Sequence, residues 1–237
     1  MIDEEFTQGY TGDCWFLAAL NSMCVDKEIL EKINNMITIN KDGDIIKSIT
    51  VNIQGKGYTI DYKNLRDANE YAWGDIDVRA LEIAVNKYMH ENNIGEGDIT
   101  LGATKNDLAY KILFGEDNVE VNNYAEKNEY GYAEFDAEKY INTLKENKND
   151  EVFSNIGSIY FDKKEGKCCY VTDENNEQVK LIPAHAYKYS RIDNEFYYFR
   201  NPHAPEKELH IPIADIAKTF NNAVIVKFKK NKAMASL

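Results

Sequence analysis

The chain has 237 residues and a formal net charge of −12, and hydrophobic residues make up 43% of it. This length is enough for one large domain or for two small lobes that share an interface. The acidic balance argues against a nucleic-acid partner, because binding a phosphate backbone requires a basic surface. The sequence has no apolar run of about 18 residues, and its acidic start does not resemble a signal peptide. We therefore expect no membrane partner, and favour the cytoplasm or a place within a longer protein.

The spacing of the four cysteines is not typical of a domain stabilised by disulfide bonds. Cys168 and Cys169 are adjacent, and a bridge between neighbouring residues would close a strained ring. Cys14 and Cys24 lie near the start of the chain. The sequence therefore predicts no disulfide framework, and a working thiol would need a reducing environment.

The first informative stretch is 8–19, with the sequence QGYTGDCWFLAA. A polar turn with two glycines precedes Cys14, and the apolar run of small residues after it predicts a buried helix. We expect Asp13 to cap this helix with its side chain. Cys14 would then lie in the first turn, where the helix dipole favours the nucleophilic thiolate. The side-chain amide of Gln8 and the backbone N–H of Cys14 could together form an oxyanion hole.

The rest of the first half is predicted to be mainly helical. Apolar residues at helical spacing predict helices over 26–33, 75–88 and 104–115. Alternating apolar and polar residues over 45–53 and 58–62, separated by glycines, predict a β-hairpin.

The second half is predicted to be mainly sheet. A polar, acidic run over 116–132 is typical of a linker, and residues 136–145 form an amphipathic helix pattern. Pro212 is expected to open a further helix over 212–218. Strands are predicted over 157–161, 178–182, 185–192, 195–200 and 223–228.

Two polar residues mark the junction of two of these strands. His185 begins one predicted strand, and Asn201 follows the end of the next. In an antiparallel pair these two positions are neighbours. That geometry suits a catalytic base and the group that orients its ring.

Three blocks resemble the catalytic blocks of the calpain family of papain-like cysteine proteases. They are residues 8–19, His185-Ala186-Tyr187 and Arg200-Asn201-Pro202, in the family's order of Gln, Cys, His and Asn. Trp73 and the run 78–88 are also similar to a tryptophan and a helix of that protease core. The chain resembles the catalytic core alone, as in a bacterial-type member, without the regulatory domains of animal calpains.

The resemblance implies an α+β, papain-like two-lobe fold. A mainly helical lobe over 1–117 would carry Cys14 on a helix, and a lobe with an antiparallel β-sheet over 118–237 would carry His185 and Asn201. The active site would lie in the cleft between the lobes.

The function that the resemblance implies is a cysteine-type endopeptidase acting on a protein or peptide substrate. Cys14 would be the nucleophile, His185 the base, Asn201 the residue that orients it, and Gln8 an oxyanion donor. Two alternatives remain open. A transglutaminase-type acyl transferase uses a similar cysteine on a helix but has Asp in place of Asn. A binding or scaffold domain could keep the fold without turnover.

The chain departs from the family at two positions next to these residues. His203 stands where calpains have a tryptophan that shields the His–Asn hydrogen bond from water, and we expect it to replace that ring in part. Ala184 stands where a glycine usually precedes the catalytic histidine. Its methyl group is expected to narrow the cleft. These two departures are what supports the scaffold alternative.

Calpain cores bind calcium in each lobe, which aligns the active site. Glu5 falls where the first-lobe acidic ligand would lie. The acidic loop of the second lobe is nearly absent, because Glu206 and Glu208 lead directly into Leu209 and the predicted helix. Such scattered acids do not supply the about six to eight oxygen ligands that calcium takes. We therefore expect calcium to be possible but not required, and no other cofactor.

Overall fold

The computed structural model describes residues 1–2, 6–100, 106–127, 133–147, 152–159 and 170–229, without the side chains of 96, 126, 127 and 133. Within these ranges the fold is α+β, with helices mostly in the first half and a large antiparallel sheet in the second. The helices are α1 (Cys14–Met23), α2 (Lys27–Asn35), α3 (Tyr62–Asp67), α4 (Ile76–Glu91), α5 (Leu108–Phe114), α6 (Ala137–Glu146) and α7 (Ile216–Thr219).

Helix α1 is buried along its whole length. All ten of its residues are buried, as the absence of a polar stripe in its sequence predicts. Trp15 anchors it by donating its indole N–H to the carbonyl of Ile99 at 2.8 Å. One expectation is wrong: Asp13 occupies the N-cap position, but its side chain makes no capping hydrogen bond. The carboxyl group is instead turned into the interior, where it is fully buried.

Three other helices, α2, α4 and α6, begin with the capping side chains that sequence rules favour. Asp26 accepts a hydrogen bond from the backbone N–H of Ile29 at 2.8 Å, at the start of α2. Asp75 accepts one from Asp77 at 2.7 Å, at the start of α4. These caps satisfy N–H groups that have no partner within the helix.

The predicted hairpin is confirmed, as part of a three-stranded antiparallel sheet. Its strands are β1 (Ile37–Asp42), β2 (Ile45–Ile53) and β3 (Lys56–Asp61). Gln54 and Gly55, with φ of 48° and 82°, make the tight turn between β2 and β3. A two-residue turn of this kind requires left-handed backbone at both positions.

The large sheet has eight antiparallel strands in the order β4-β13-β7-β10-β11-β12-β8-β9. A separate pair is formed by β5 (Ala125–Lys127) and β6 (Ala133–Phe135). The strands of the large sheet are β4 (Val119–Asn123), β7 (Phe153–Ser158), β8 (Tyr170–Asp173), β9 (Gln178–Lys180), β10 (Ala186–Ile192), β11 (Phe196–Asn201), β12 (Ala204–Pro212) and β13 (Phe220–Phe228).

Three sequence predictions differ from this sheet. The run 116–132 is not a plain linker, because β4 pairs with β13 and β5 follows it; residues 128–132 lie outside the described ranges. The strand predicted over 157–161 is β7, displaced towards the N-terminus, and residues 160 and 161 are outside the described part of the chain. The helix predicted over 212–218 begins one residue later, because β12 extends to Pro212; a 3-10 turn over Ile213–Asp215 leads directly into α7.

Two hydrophobic cores lie on opposite sides of the large sheet. One contains α1, α4 and α5 and extends into the sheet at Phe153, Ala186 and Val226. The other contains the inner face of α6, with Tyr140, together with α7 and the opposite face of the strands. Helix α1 packs directly against β10 and β7.

The division of the chain into one lobe over 1–117 and a second lobe over 118–237 stays a prediction.

None of the described helices combines the length and the apolar character needed to cross a bilayer.

Candidate active site

Cys14 and the residue after His185 are in direct contact. The backbone N–H of Ala186, the first residue of β10, donates to Sγ of Cys14 at 3.4 Å. The contact joins positions 172 residues apart in the chain. It arises because α1, which begins at Cys14, packs on the sheet at the start of β10. The structure therefore brings together the cysteine and histidine blocks.

His185 and Asn201 are also brought together, across the antiparallel pair β10–β11. Nε2 of His185 and Oδ1 of Asn201 are 2.8 Å apart. The backbone N–H of His203 donates to the same Asn201 atom at 3.0 Å, which identifies that atom as the amide oxygen. Nε2 must then carry the ring proton that the oxygen accepts. In the neutral ring, Nδ1 is therefore unprotonated and can receive a proton.

Ser158 at the end of β7 holds the backbone of His185. Its hydroxyl oxygen accepts from the N–H of His185 at 3.0 Å and donates to the carbonyl of Ile182 at 2.7 Å. The N–H of Ser158 donates to the carbonyl of His185 at 2.9 Å. Sequence reasoning missed this residue, because a serine at a strand end has no local pattern that links it to a histidine 27 positions later.

Gln8 joins the first block to the third. Its backbone N–H donates to the carbonyl of Pro202 at 2.9 Å. Its side-chain nitrogen donates to the carbonyl of Thr11 at 2.8 Å. An amide nitrogen carries two hydrogens, so this contact leaves one of them for another acceptor. The buried Gln8 side chain thus keeps one N–H group for an oxyanion.

Two rings enclose the His185 imidazole. His203 lies parallel to it, with centroids 5.3 Å apart and an interplanar angle of 12°. Tyr187 approaches edge-on, with centroids 4.9 Å apart. The His203 ring therefore lies against the His185–Asn201 pair, as expected from the sequence.

The electrostatics of the site follow mainly from burial, since Cys14 and His185 are each only 6% exposed. Burial raises the pKa of the Cys14 thiol, and the nearby Asp13 adds to the increase, while the N–H of Ala186 opposes it. Burial lowers the pKa of His185 to about 4, although the hydrogen bond to Asn201 opposes the change. The neutral thiol and imidazole are thus favoured, and desolvation opposes the thiolate expected from the helix dipole.

Ala184, directly before His185, has left-handed backbone with φ of 49°. An L-residue with a Cβ is strained in this region, whereas glycine is not. The conformation explains why a glycine would be favoured at this position. The side chain is exposed, so the departure affects the backbone rather than the packing.

The described residues do not fit a calcium site of the kind the resemblance implies. Glu208 lies on β12, and its carboxylate accepts from the Ser190 hydroxyl at 2.5 Å and from the guanidinium of Arg191 at 2.9 Å. No group of three or more acidic, histidine or cysteine side chains in the described ranges could hold a metal. Glu5 lies outside these ranges.

No protein-family model matches the chain, and no curated protein matches it at a significant level. The chemistry of the site is therefore judged from its own side chains. They provide a thiol, an imidazole in a defined tautomer, an amide that fixes this tautomer, and a second amide with one N–H group to spare.

Proposed function

We propose that the chain is a calpain-like, papain-like two-lobe cysteine endopeptidase that hydrolyses peptide bonds through Cys14, His185 and Asn201. The observation that carries the proposal is the contact between Sγ of Cys14 and the N–H of Ala186, directly after a His185 that is hydrogen-bonded to Asn201. A nucleophile, a base and a group that orients the base are the three parts of a catalytic triad.

In the proposed reaction, Nδ1 of His185 takes the thiol proton as Sγ of Cys14 attacks the carbonyl carbon of a peptide bond. The imidazolium then gives this proton to the leaving amine, and a thioester remains on Cys14. Water attacks the thioester with His185 again as base. The acid product leaves and the thiol is restored. Asn201 keeps Nε2 protonated throughout, so the same nitrogen serves in both halves of the cycle.

The oxyanion would be bound at the mouth of α1. The backbone N–H of Cys14 lies at the start of the helix, where amides have no partner within the helix. Gln8 supplies the second donor with the hydrogen that Thr11 does not use. Loss of one such donor typically lowers the rate by about a hundredfold or more, so Gln8→Ala is expected to reduce turnover more than substrate affinity.

The proposal is tested by labelling with an electrophilic peptide epoxide and by cleavage of a fluorogenic peptide library. We expect one label on Cys14 and measurable cleavage in the native chain. Cys14→Ala should lose both while keeping the same melting temperature, and Cys24→Ala is the matched control that should keep both. Unchanged cleavage in Cys14→Ala would remove Cys14 from the mechanism.

The low exposure of Cys14 and His185 favours one alternative, a binding domain that keeps the arrangement without turnover. Desolvation disfavours the charged thiolate–imidazolium pair that attack requires. This alternative predicts no epoxide labelling of Cys14 in the folded chain and labelling only after denaturation. The same experiment therefore distinguishes the two functions.

A further inference from the structure

Two carboxyl groups that the proposed mechanism does not use lie buried beside the nucleophile. Asp13 directly precedes Cys14, Glu82 is in the middle of α4, and both residues are 0% exposed. Among the described residues, no other group donates a hydrogen bond to either side-chain oxygen of Asp13 or to Oε1 of Glu82. Oε2 of Glu82 accepts from the backbone N–H of Ala72 at 2.9 Å.

The two carboxyl groups are close neighbours in the interior, within reach of a hydrogen bond to each other. Ionised carboxylates only accept hydrogen bonds, so this bond exists only when one of the two groups carries a proton. Two buried negative charges in contact would also be strongly unfavourable. Full burial and the lack of another donor for three of the four oxygens therefore favour one proton between the two groups.

We propose that Asp13 and Glu82 share one proton in the folded protein, and that this proton positions Cys14 and limits the negative charge beside its thiol. The backbone carbonyl of Asp13 accepts from Phe16 and Leu17 at 2.8 and 3.1 Å. A displacement of Asp13 is therefore a displacement of the first turn of α1. The pair therefore acts by positioning the first turn of α1.

The charged groups around the pair support this assignment. Arg79, on α4, donates to the carbonyl of Ala72 at 3.1 and 3.2 Å and partly offsets the charge on Glu82. Tyr71 faces the pair from the loop before α4, and the charges of Glu82 and Asp13 add to the increase that burial makes in its pKa. On α1, the charge of Asp13 raises the pKa of Cys14. Burial raises the pKa of both carboxyl groups. The pair therefore keeps its proton at pH values at which exposed carboxyl groups have lost theirs.

The shared proton is measured directly by NMR titration of the side-chain carboxyl carbons, with Glu82→Gln and Asp13→Asn for assignment. We expect one carboxyl group of the pair to stay protonated near neutral pH. The effect on Cys14 is measured as the pH dependence of its alkylation by iodoacetamide. Removing the negative charge in Asp13→Asn should lower the thiol pKa and so raise the rate of alkylation at pH 7 severalfold.

Glu82→Gln keeps a hydrogen-bond donor for Asp13 but leaves the full negative charge on Asp13, so its thiol pKa should be no lower than that of the native chain and above that of Asp13→Asn. Glu70→Gln, which removes an exposed carboxylate from the same loop, is the matched control and should leave alkylation unchanged. Both carboxyl groups titrating in the usual acidic range in the native chain would overturn the proposal, whether or not the variants fold. An Asp13→Asn effect no larger than the Glu70→Gln effect would overturn the positioning role.

This inference rests on one part of the proposed function, the assignment of Cys14 as the reactive thiol. Neither readout requires peptide cleavage. An inactive protein with a shared proton would refute the protease proposal alone, and an active protein with two ionised carboxylates would refute the pair alone.

Discussion

The imidazole of His203 stacks on the imidazole of His185, with 5.3 Å between ring centroids and 12° between ring planes. Burial is the main cause of the lowered pKa of His185, and His203 adds to it because two parallel imidazoles at this distance cannot both be protonated without repulsion. The His203 ring therefore covers one face of His185 and can also become charged. A tryptophan at this position would cover the face without a titratable group.

The first prediction concerns the acid stability of this stack. Burial lowers the pKa values of His185, to about 4, and of His203. Between these values and the usual 6.5, the unfolded chain binds more protons than the folded one, so stability rises with pH and is lost as pH falls. His203→Phe keeps an aromatic ring but removes one titratable group. The loss of unfolding free energy from pH 6.5 to 4, measured by urea denaturation, should be smaller than in the native chain.

His90→Phe is the matched control for this measurement, because His90 is exposed at the end of α4. Its curve should parallel that of the native chain. The acidic pair Asp13 and Glu82 contributes in the opposite direction, since raised carboxyl pKa values reduce stability as pH rises. That contribution is common to all three proteins and cancels in the comparison. A His203→Phe curve identical to the native one would contradict the prediction.

Ala184→Gly is expected to stabilise the fold. The residue has φ of 49°, where glycine avoids a strain of about 1–2 kcal/mol, and the greater flexibility of glycine in the unfolded chain offsets part of the gain. A net increase of about 0.5–1 kcal/mol in unfolding free energy should result. Ala68→Gly, at φ of −80°, is the control and should destabilise by a similar amount. Destabilisation by both variants would show that Ala184 is not strained.

Substitutions at Asn201 are expected to shift the titration of His185 in opposite directions. The hydrogen bond from Nε2 raises the pKa of His185 against the larger effect of burial. Asn201→Ala should therefore lower that pKa, and Asn201→Asp should raise it by adding a negative charge next to the imidazolium. NMR titration of the ring in a Cys14→Ala background measures both. Equal pKa values in the two variants would mean that Asn201 does not act through the His185 ring.

Tyr140→Phe is expected to destabilise the second core by about 1–3 kcal/mol. The Tyr140 hydroxyl is fully buried and lies 2.8 Å from both the hydroxyl of Ser154 and that of Tyr197. Removing it leaves the Tyr197 hydroxyl without this partner in an apolar environment. Tyr170→Phe, at a side chain that is 54% exposed, is the control and should change stability little. Equal effects in a denaturation experiment would show that the buried network contributes nothing.

The elements that could be predicted from sequence have local signals. Helix α4 has an apolar stripe and an acidic cap, and the hairpin of β2 and β3 has an alternating pattern with a glycine in its turn. Strand β4 was missed because its only apolar side chains are two valines among acidic and amide residues. Its pairing with β13, about a hundred residues later, stabilises it, and such long-range pairing has no signature within the segment.

In the candidate site, too, some relationships could be predicted from the sequence and others could not. The proximity of His185 and Asn201 follows from the ends of two consecutive strands, which sequence can place. The inward orientation of Asp13 could not be predicted, because an aspartate before a helix usually caps it. Only the position of Glu82 on the packed face of α4 makes the buried orientation favourable, and that position depends on the tertiary fold.

The hydrogen bond from the Gln8 amide to the Pro202 carbonyl ties the start of the chain to the segment that follows β11. Separation of these two segments must break this bond, together with the hydrogen bond between the His203 side chain and the backbone of Gln8. The deuterium uptake of one amide therefore reports how often this junction opens in solution, independently of any substrate.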